Sequence, residues 1–162
     1  MLAVHLTAAL SLTPITATTV AHALELPGKA RLSREEYAVV QRIYYPGFTV
    51  VGALEPPALV ALAASAVRTP RGDPARPWRW TAAGLAAAAH VVYWAVVHPA
   101  NRQWLAGEPS VGAAARTFFA LRAADRDRQL QRRRWERGHL ARCALTTAAT
   151  ISVIVGLTFE RA

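Results

Sequence analysis

The sequence predicts an all-α membrane protein: a bundle of four membrane-crossing helices, with a short interfacial helix in the first loop and a helical, Arg-rich third loop. Three observations predict it. Apolar residues make up 53% of the 162. They are gathered in blocks: residues 1–24, 80–101 and 143–159 contain no Arg, Lys, Asp or Glu, and residues 48–67 contain only Glu55. Helices of these lengths span roughly 25–35 Å, matching a hydrocarbon core of about 30 Å. A soluble four-helix bundle would show charges every three or four residues along its outer faces, and the blocks lack such faces. The chain therefore reads as one membrane domain, 1–162, with spans at about 3–24, 48–67, 81–101 and 142–159.

The first block is long, Thr-rich and interrupted by Pro14, without a basic leader or a convincing small-residue cleavage site before Glu25. It is expected to be a mature helix and not a signal peptide. In the first loop, Ser33 followed by Glu36 is a capping-box pattern that opens a helix through roughly Tyr45. Tyr37, Val40 and Tyr44 share one face of it, which suits a helix lying at the membrane surface.

The second span carries Glu55 seven residues past Phe48, roughly 10 Å into the membrane. Pro56 and Pro57 follow, so the carbonyls of Gly52 and Ala53 lose their helical donors. A break at that depth is tolerated where it faces protein or a polar cavity. The alternative is a shorter helix that simply begins at Glu55. The second loop, from Thr69 to Pro77, has three prolines and a glycine and is a turn region. Gly84 and Ala88 in the third span, and Ser152 and Gly156 in the fourth, have the spacing that lets membrane helices pack closely. Residues 113–137 lack Gly and Pro and are expected to be helical.

The net charge of +9 comes from 18 arginines and a single lysine, Lys29, against 10 acidic residues. The basic residues surround apolar spans in every loop, which excludes nucleic acid as a partner and favours anionic lipid for the stretch at 126–137. The first and third loops hold 14 of the 19. The positive-inside rule then faces those loops to the cytoplasm and both termini outward, in a multi-pass protein of the cell membrane. A single cysteine, Cys143, excludes an intrachain disulfide.

Ionisable groups at membrane depth are costly, so each is a candidate for function. With this topology His22 and Glu25, His98 and Asn101, Glu55, and His139 and Arg142 all fall at the cytoplasmic end of the bundle. His5 and His90 stand apart from other polar residues and are expected to be hydrogen-bonded packing residues. Metal ligation would need three or four converging donors; His22, Glu25, His98 and His139 could supply them, His22 and Glu25 first, so the cofactor expectation is none or a transition metal.

The string His22-Ala23-Leu24-Glu25-Leu26-Pro27-Gly28-Lys29, with Leu32, Tyr37, Gln41 and Tyr44-Tyr45-Pro46-Gly47-Phe48, resembles the anthrone oxygenase-like family of small four-helix membrane proteins. So do Pro99-Ala100-Asn101, with Trp104, and Trp135 followed by His139 and Arg142. The resemblance implies a four-helix bundle and, in some members, oxidation of polycyclic aromatic ketones by dioxygen. On the enzyme reading, His98 or His139 would be a general base. Arg142 and Asn101 would hold an enolate-like oxygen. Trp104, Trp135 and Tyr44, with Gln41 and Glu55, would bind the substrate. The other class is a non-catalytic scaffold, lipid-binding protein or partner subunit, with the polar cluster as a structural latch. A transporter of four spans without an inverted repeat would need to dimerise. The expected partners are the bilayer, a lipophilic small molecule and a second copy of the chain.

Overall fold

The computed structural model describes residues 2–44, 47–105 and 128–159, apart from the side chains of residues 103–105 and 128. Among the described residues the fold is all-helical. Its elements are α1 (Leu2–Leu24), α2 (Leu26–Lys29), α3 (Arg34–Ile43), α4 (Gly47–Gly52), α5 (Glu55–Arg68), α6 (Arg76–Val92), a π-helical turn (Tyr93–Val97), α7 (His98–Leu105) and α8 (Arg128–Thr158). Four stretches are long and apolar enough to cross a membrane: Leu2–Lys29, Gly47–Arg68, Arg76–Arg102 and Gln129–Thr158. Helix α8 packs against α1 and α6, and α5 packs against the same two, so the four spans close into a ring.

The core is made of small and medium apolar side chains: Ala8 and Leu12 from α1, Leu62 from α5, Ala82 and Ala86 from α6, Ala149 and Val153 from α8. Large apolar side chains point the other way. Leu10, Val60, Val91, Ile151 and Ile154 are exposed, the pattern of helices whose outer surface meets hydrocarbon and not water.

Helix α1 tolerates its hydroxyls because they donate to its own backbone carbonyls. Thr7, Ser11, Thr13 and Thr18 each donate to the carbonyl four residues back, at 2.8–3.0 Å. Pro14 leaves the helix unbroken. Thr16 meets Thr150 at 2.9 Å and Thr19 meets Thr146 at 2.8 Å, which ties α1 to α8 through hydroxyl pairs.

The capping box of α3 forms as predicted: Ser33 Oγ accepts from the Glu36 N–H at 3.2 Å, and Glu36 Oε2 accepts from the Ser33 N–H at 2.8 Å. That backbone donor holds the exposed Glu36 carboxyl below the usual glutamate range. Tyr37 and Gln41 are buried, whereas Val40 is only half-buried.

The second span is broken. Helix α4 ends at Gly52, Ala53 and Leu54 turn tightly on the carbonyls of Val50 and Val51, and α5 begins at Glu55. With helix on both sides of the turn, this is the break and not a shorter helix that simply begins at Glu55. At the other end of this span Gly72 takes a positive φ of 96° in the turn to α6.

Two elements differ from expectation. The third span contains the π-helical turn Tyr93–Val97, just before Pro99, which has no N–H to give the Ala95 carbonyl. The Arg-rich helix and the fourth span are one continuous helix, because the segment meets no proline between Arg128 and Thr158. The helix expected over 113–127 lies outside the described residues.

The close-packing stripe in the third span is also a correction. Gly84 and Ala88 are exposed, and the buried stripe is Ala82, Ala86 and Ala89. Gly156 is buried against Trp78 and Arg79 in ordinary contact. The closest approach is at Gly138, where an added Cβ would lie 2.7 Å from Val97.

Candidate functional site

At the end of the bundle formed by α1, α3, α4, the π turn and α8 lies a cavity of about 70 Å³, lined by His22, Tyr44, Phe48, Glu55, Tyr93, Asn101, Trp135, His139 and Arg142 among others. Thr49 in its wall is exposed and Thr18, Phe48 and Gly52 are partly so, which puts its open side between α1 and α4. The break in the second span creates that opening, because α4 buries none of its residues.

The cavity is bounded by two polar groupings of different character. On its floor, Arg142 is paired with Glu55, and His90 Nδ1 lies 2.7 Å from the other Glu55 oxygen. Trp94 Nε1–H donates to His90 Nε2 at 2.9 Å. That leaves the His90 Nδ1–H to donate to Glu55, so the carboxylate accepts from two sides. The Arg142 guanidinium also lies 5.0 Å from the centre of the Tyr93 ring. This grouping is nearly closed, although Arg142 Nε has no hydrogen-bond partner.

The second grouping is open. The rings of His22 and His139 are 4.2 Å apart, both are buried, and the Nδ1 of each lacks a hydrogen bond. Trp135 is 4.2 Å from His139 and 4.9 Å from His22, ring centre to ring centre. Tyr44 and Phe48 approach His22 at 4.7 and 4.8 Å. Trp135 Nε1–H donates to Asn101 Oδ1 at 2.8 Å, which orients the Asn101 amide and turns its NH₂ toward the Tyr93 hydroxyl.

Above the histidines, Glu25 Oε2 lies 3.5 Å from His22 Nδ1, accepts from Tyr44 Oη at 2.6 Å and pairs with Lys29 at 2.8 Å. Burial and the neighbouring carboxylate both raise the Tyr44 phenol above its ordinary value, so it remains a donor. Lys29 is buried, with its ammonium 4.4 Å from the Tyr44 ring centre and 4.6 Å from that of Trp135. Cation–π contacts of this kind partly replace lost hydration.

The predicted site residues thus divide. His22, Glu55, Gln41, Tyr44, Asn101, Trp135, His139 and Arg142 share the cavity wall, and Glu25 sits directly behind His22. His98 does not join them: its ring lies 4.8 Å from that of Trp94, tilted by 53°, outside the cavity lining. Tyr93 at the start of the π turn and Asn101 beyond it line the cavity, whereas His98 between them does not. The Trp104 side chain lies outside the described residues.

His90 was expected to stand alone and instead completes the Glu55 grouping. His5 behaves as expected, with Nδ1 2.6 Å from Ser65 Oγ. Lys29 was missed, although its signal was present: His22, Glu25 and Lys29 are spaced three and four apart on one helix face, and Lys29 is the chain's one lysine. The metal expectation at His22 and Glu25 fails the test of donors. Among the described residues no three His, Cys, Asp or Glu side chains are grouped to hold an ion, and the nearest Glu25 oxygen already pairs with Lys29 and accepts from Tyr44.

Set against protein-family models, curated proteins and solved structures, the chain finds no match in any of the three. The class it belongs to is therefore defined by its fold and site alone: a helical membrane bundle with a buried histidine pair at one end.

Proposed function

We propose that the protein is a membrane-embedded oxygenase acting on a lipophilic ketone with an acidified methylene, as its resemblance to the anthrone oxygenase-like family implies. The observation that carries this reading is the buried His22–His139 pair, walled by Tyr44, Phe48 and Trp135, in which His22 Nδ1 faces Glu25 at 3.5 Å and His139 Nδ1 lacks a hydrogen bond. A histidine whose ring nitrogen is not committed to the protein is free to take a proton from a substrate.

The cavity is too small for a polycyclic ketone. It takes the reacting end, while the apolar remainder lies in the opening between α1 and α4. One histidine removes a proton from the methylene. The enolate oxygen is held by the unpartnered Arg142 Nε–H and the Asn101 NH₂. The carbanion transfers electrons to dioxygen, and the hydroperoxide formed loses water, so that R₂CH₂ + O₂ gives R₂C=O + H₂O. Glu25, fixed by Lys29 and Tyr44, orients His22. The orientation that suits the charge distribution places this end of the bundle at the cytoplasmic face of the cell membrane.

The test is oxygen uptake and ¹⁸O incorporation with anthrone as probe, on purified protein in lipid nanodiscs. Wild type should turn over, and His139→Gln and His22→Gln should each lose about 10²-fold or more, with Arg71→Gln unchanged. Wild-type rates no higher than those of heat-denatured protein, across anthrone and other activated-methylene ketones, would sink the reading.

The second reading is a non-catalytic scaffold. It is favoured by the Glu55, Arg142, His90 and Trp94 grouping, which closes on itself at every polar atom described except Arg142 Nε, nearly as a structural latch would. On that reading His139→Gln alters stability and nothing else.

A further inference from the structure

We propose that the cleft between α3 and the head of α8 binds a phosphate ester, that of an anionic lipid headgroup. The cleft has a volume of about 420 Å³ and is lined by Ser33, Arg34, Tyr37, Arg132, Arg133 and Glu136 among others. That is the size range of sites built for small ligands, and it is separate from the cavity at His22 and His139.

Its charge is not balanced internally. Arg132 is spoken for: Nε donates to Glu136 at 3.0 Å, Nη1 and Nη2 reach the Leu32 and Lys29 carbonyls, and the guanidinium lies 4.2 Å from the Tyr37 ring centre. Glu136 is thereby used as well, and Glu36 is turned onto the Ser33 N–H. Arg34 and Arg133 are exposed and have no ion pair among the described residues. Arg132 forms a fixed floor, and two unpaired arginines from different helices converge on the space above it. Two guanidinium groups presenting planar donor forks are suited to the oxygens of a phosphate.

Depth selects the source of the phosphate. The cleft lies where two of the membrane-crossing stretches end, at Lys29 and Gln129. Headgroups of an anionic leaflet occupy that level, and basic side chains there gain from its surface potential.

The experiment compares wild type with Arg34→Gln/Arg133→Gln, both purified from mixed phosphatidylglycerol and phosphatidylcholine and examined by native mass spectrometry. Wild type should retain phosphatidylglycerol over phosphatidylcholine, and the double variant should lose that preference by about tenfold or more. Both positions are exposed, so the variant should keep the helix content and melting temperature of wild type. A second arm titrates inorganic phosphate in uncharged detergent. Saturable binding that needs both arginines, without lipid preference, would overturn the lipid source and leave a soluble phosphate as ligand. Equal lipid retention by wild type and double variant, with no phosphate binding, would overturn the site. Neither arm depends on oxygenase activity, so its outcome is separate from that of the functional proposal.

Discussion

Glu55 accepts hydrogen bonds from Arg142 and His90 at membrane depth, and its energetics follow from what each deletion leaves behind. Arg142→Met strands a buried carboxylate with half its support, and breaking a buried pair in this way costs about 3–5 kcal/mol. Adding Glu55→Gln to Arg142→Met removes the stranded charge and should recover more than half of that loss. Equilibrium unfolding in mixed micelles would measure both, with the exposed Arg71→Gln within about 0.5 kcal/mol of wild type as reference. If the double variant is as unstable as the sum of the singles, the two residues are not coupled and the latch does not exist. The pairing of Glu55 with Arg142 could be anticipated, because a carboxylate in hydrocarbon requires a donor and only a few were within reach. Its pairing with His90 could not, because the π turn and the broken second span together decide which faces of α5 and α6 meet.

The π turn and α8 meet through Gly138, where a Cβ would press to 2.7 Å on Val97 and 3.1 Å on Val96. Val97 is fully buried, and its branched side chain has little rotameric freedom to withdraw. Gly138→Ala should therefore destabilise by about 1–3 kcal/mol, despite the roughly 1 kcal/mol that alanine ordinarily gains over glycine within a helix. It should also displace the adjacent His139. Gly84→Ala, exposed with nothing within 4 Å, should be neutral or mildly stabilising. The reverse ranking of the two variants in a thermal melt would refute the close contact. Spacing alone pointed to Gly84 and Ala88, since small-xxx-small patterns do not say which face of a helix is buried. Gly138 escaped notice because it lies among arginines, just past the stretch 113–137 expected to be helical and short of the fourth span. The break at Pro56 and Pro57 was legible from two missing N–H groups, but nothing in the composition of Tyr93–Val97 marks a π turn.

For the whole molecule, the four spans were legible from uncharged block lengths alone, and the described helices extend them by several residues at the polar ends. Those extensions matter, because Lys29 and the head of α8 are charged and so fell outside the apolar blocks. Orientation rests on the split of basic residues, 14 of 19 in the first and third loops. Reporters fused after Arg68 and at the C-terminus should both read as external. Cytoplasmic signals at both positions would invert the protein while keeping its four spans.

The distance in sequence between Glu55 and Arg142 has a consequence for how the protein is made. The two are 87 residues apart, and a ribosome delivers the chain from its N-terminus. The second span must enter the bilayer while the residue that will neutralise it has yet to be synthesised. His90, 35 residues on, arrives sooner and can hold the carboxylate in an interim hairpin of the second and third spans. The last helix then completes the bundle on arrival, so a nascent chain arrested before Arg142 should remain a substrate for membrane quality control, and one released after Thr158 should escape it.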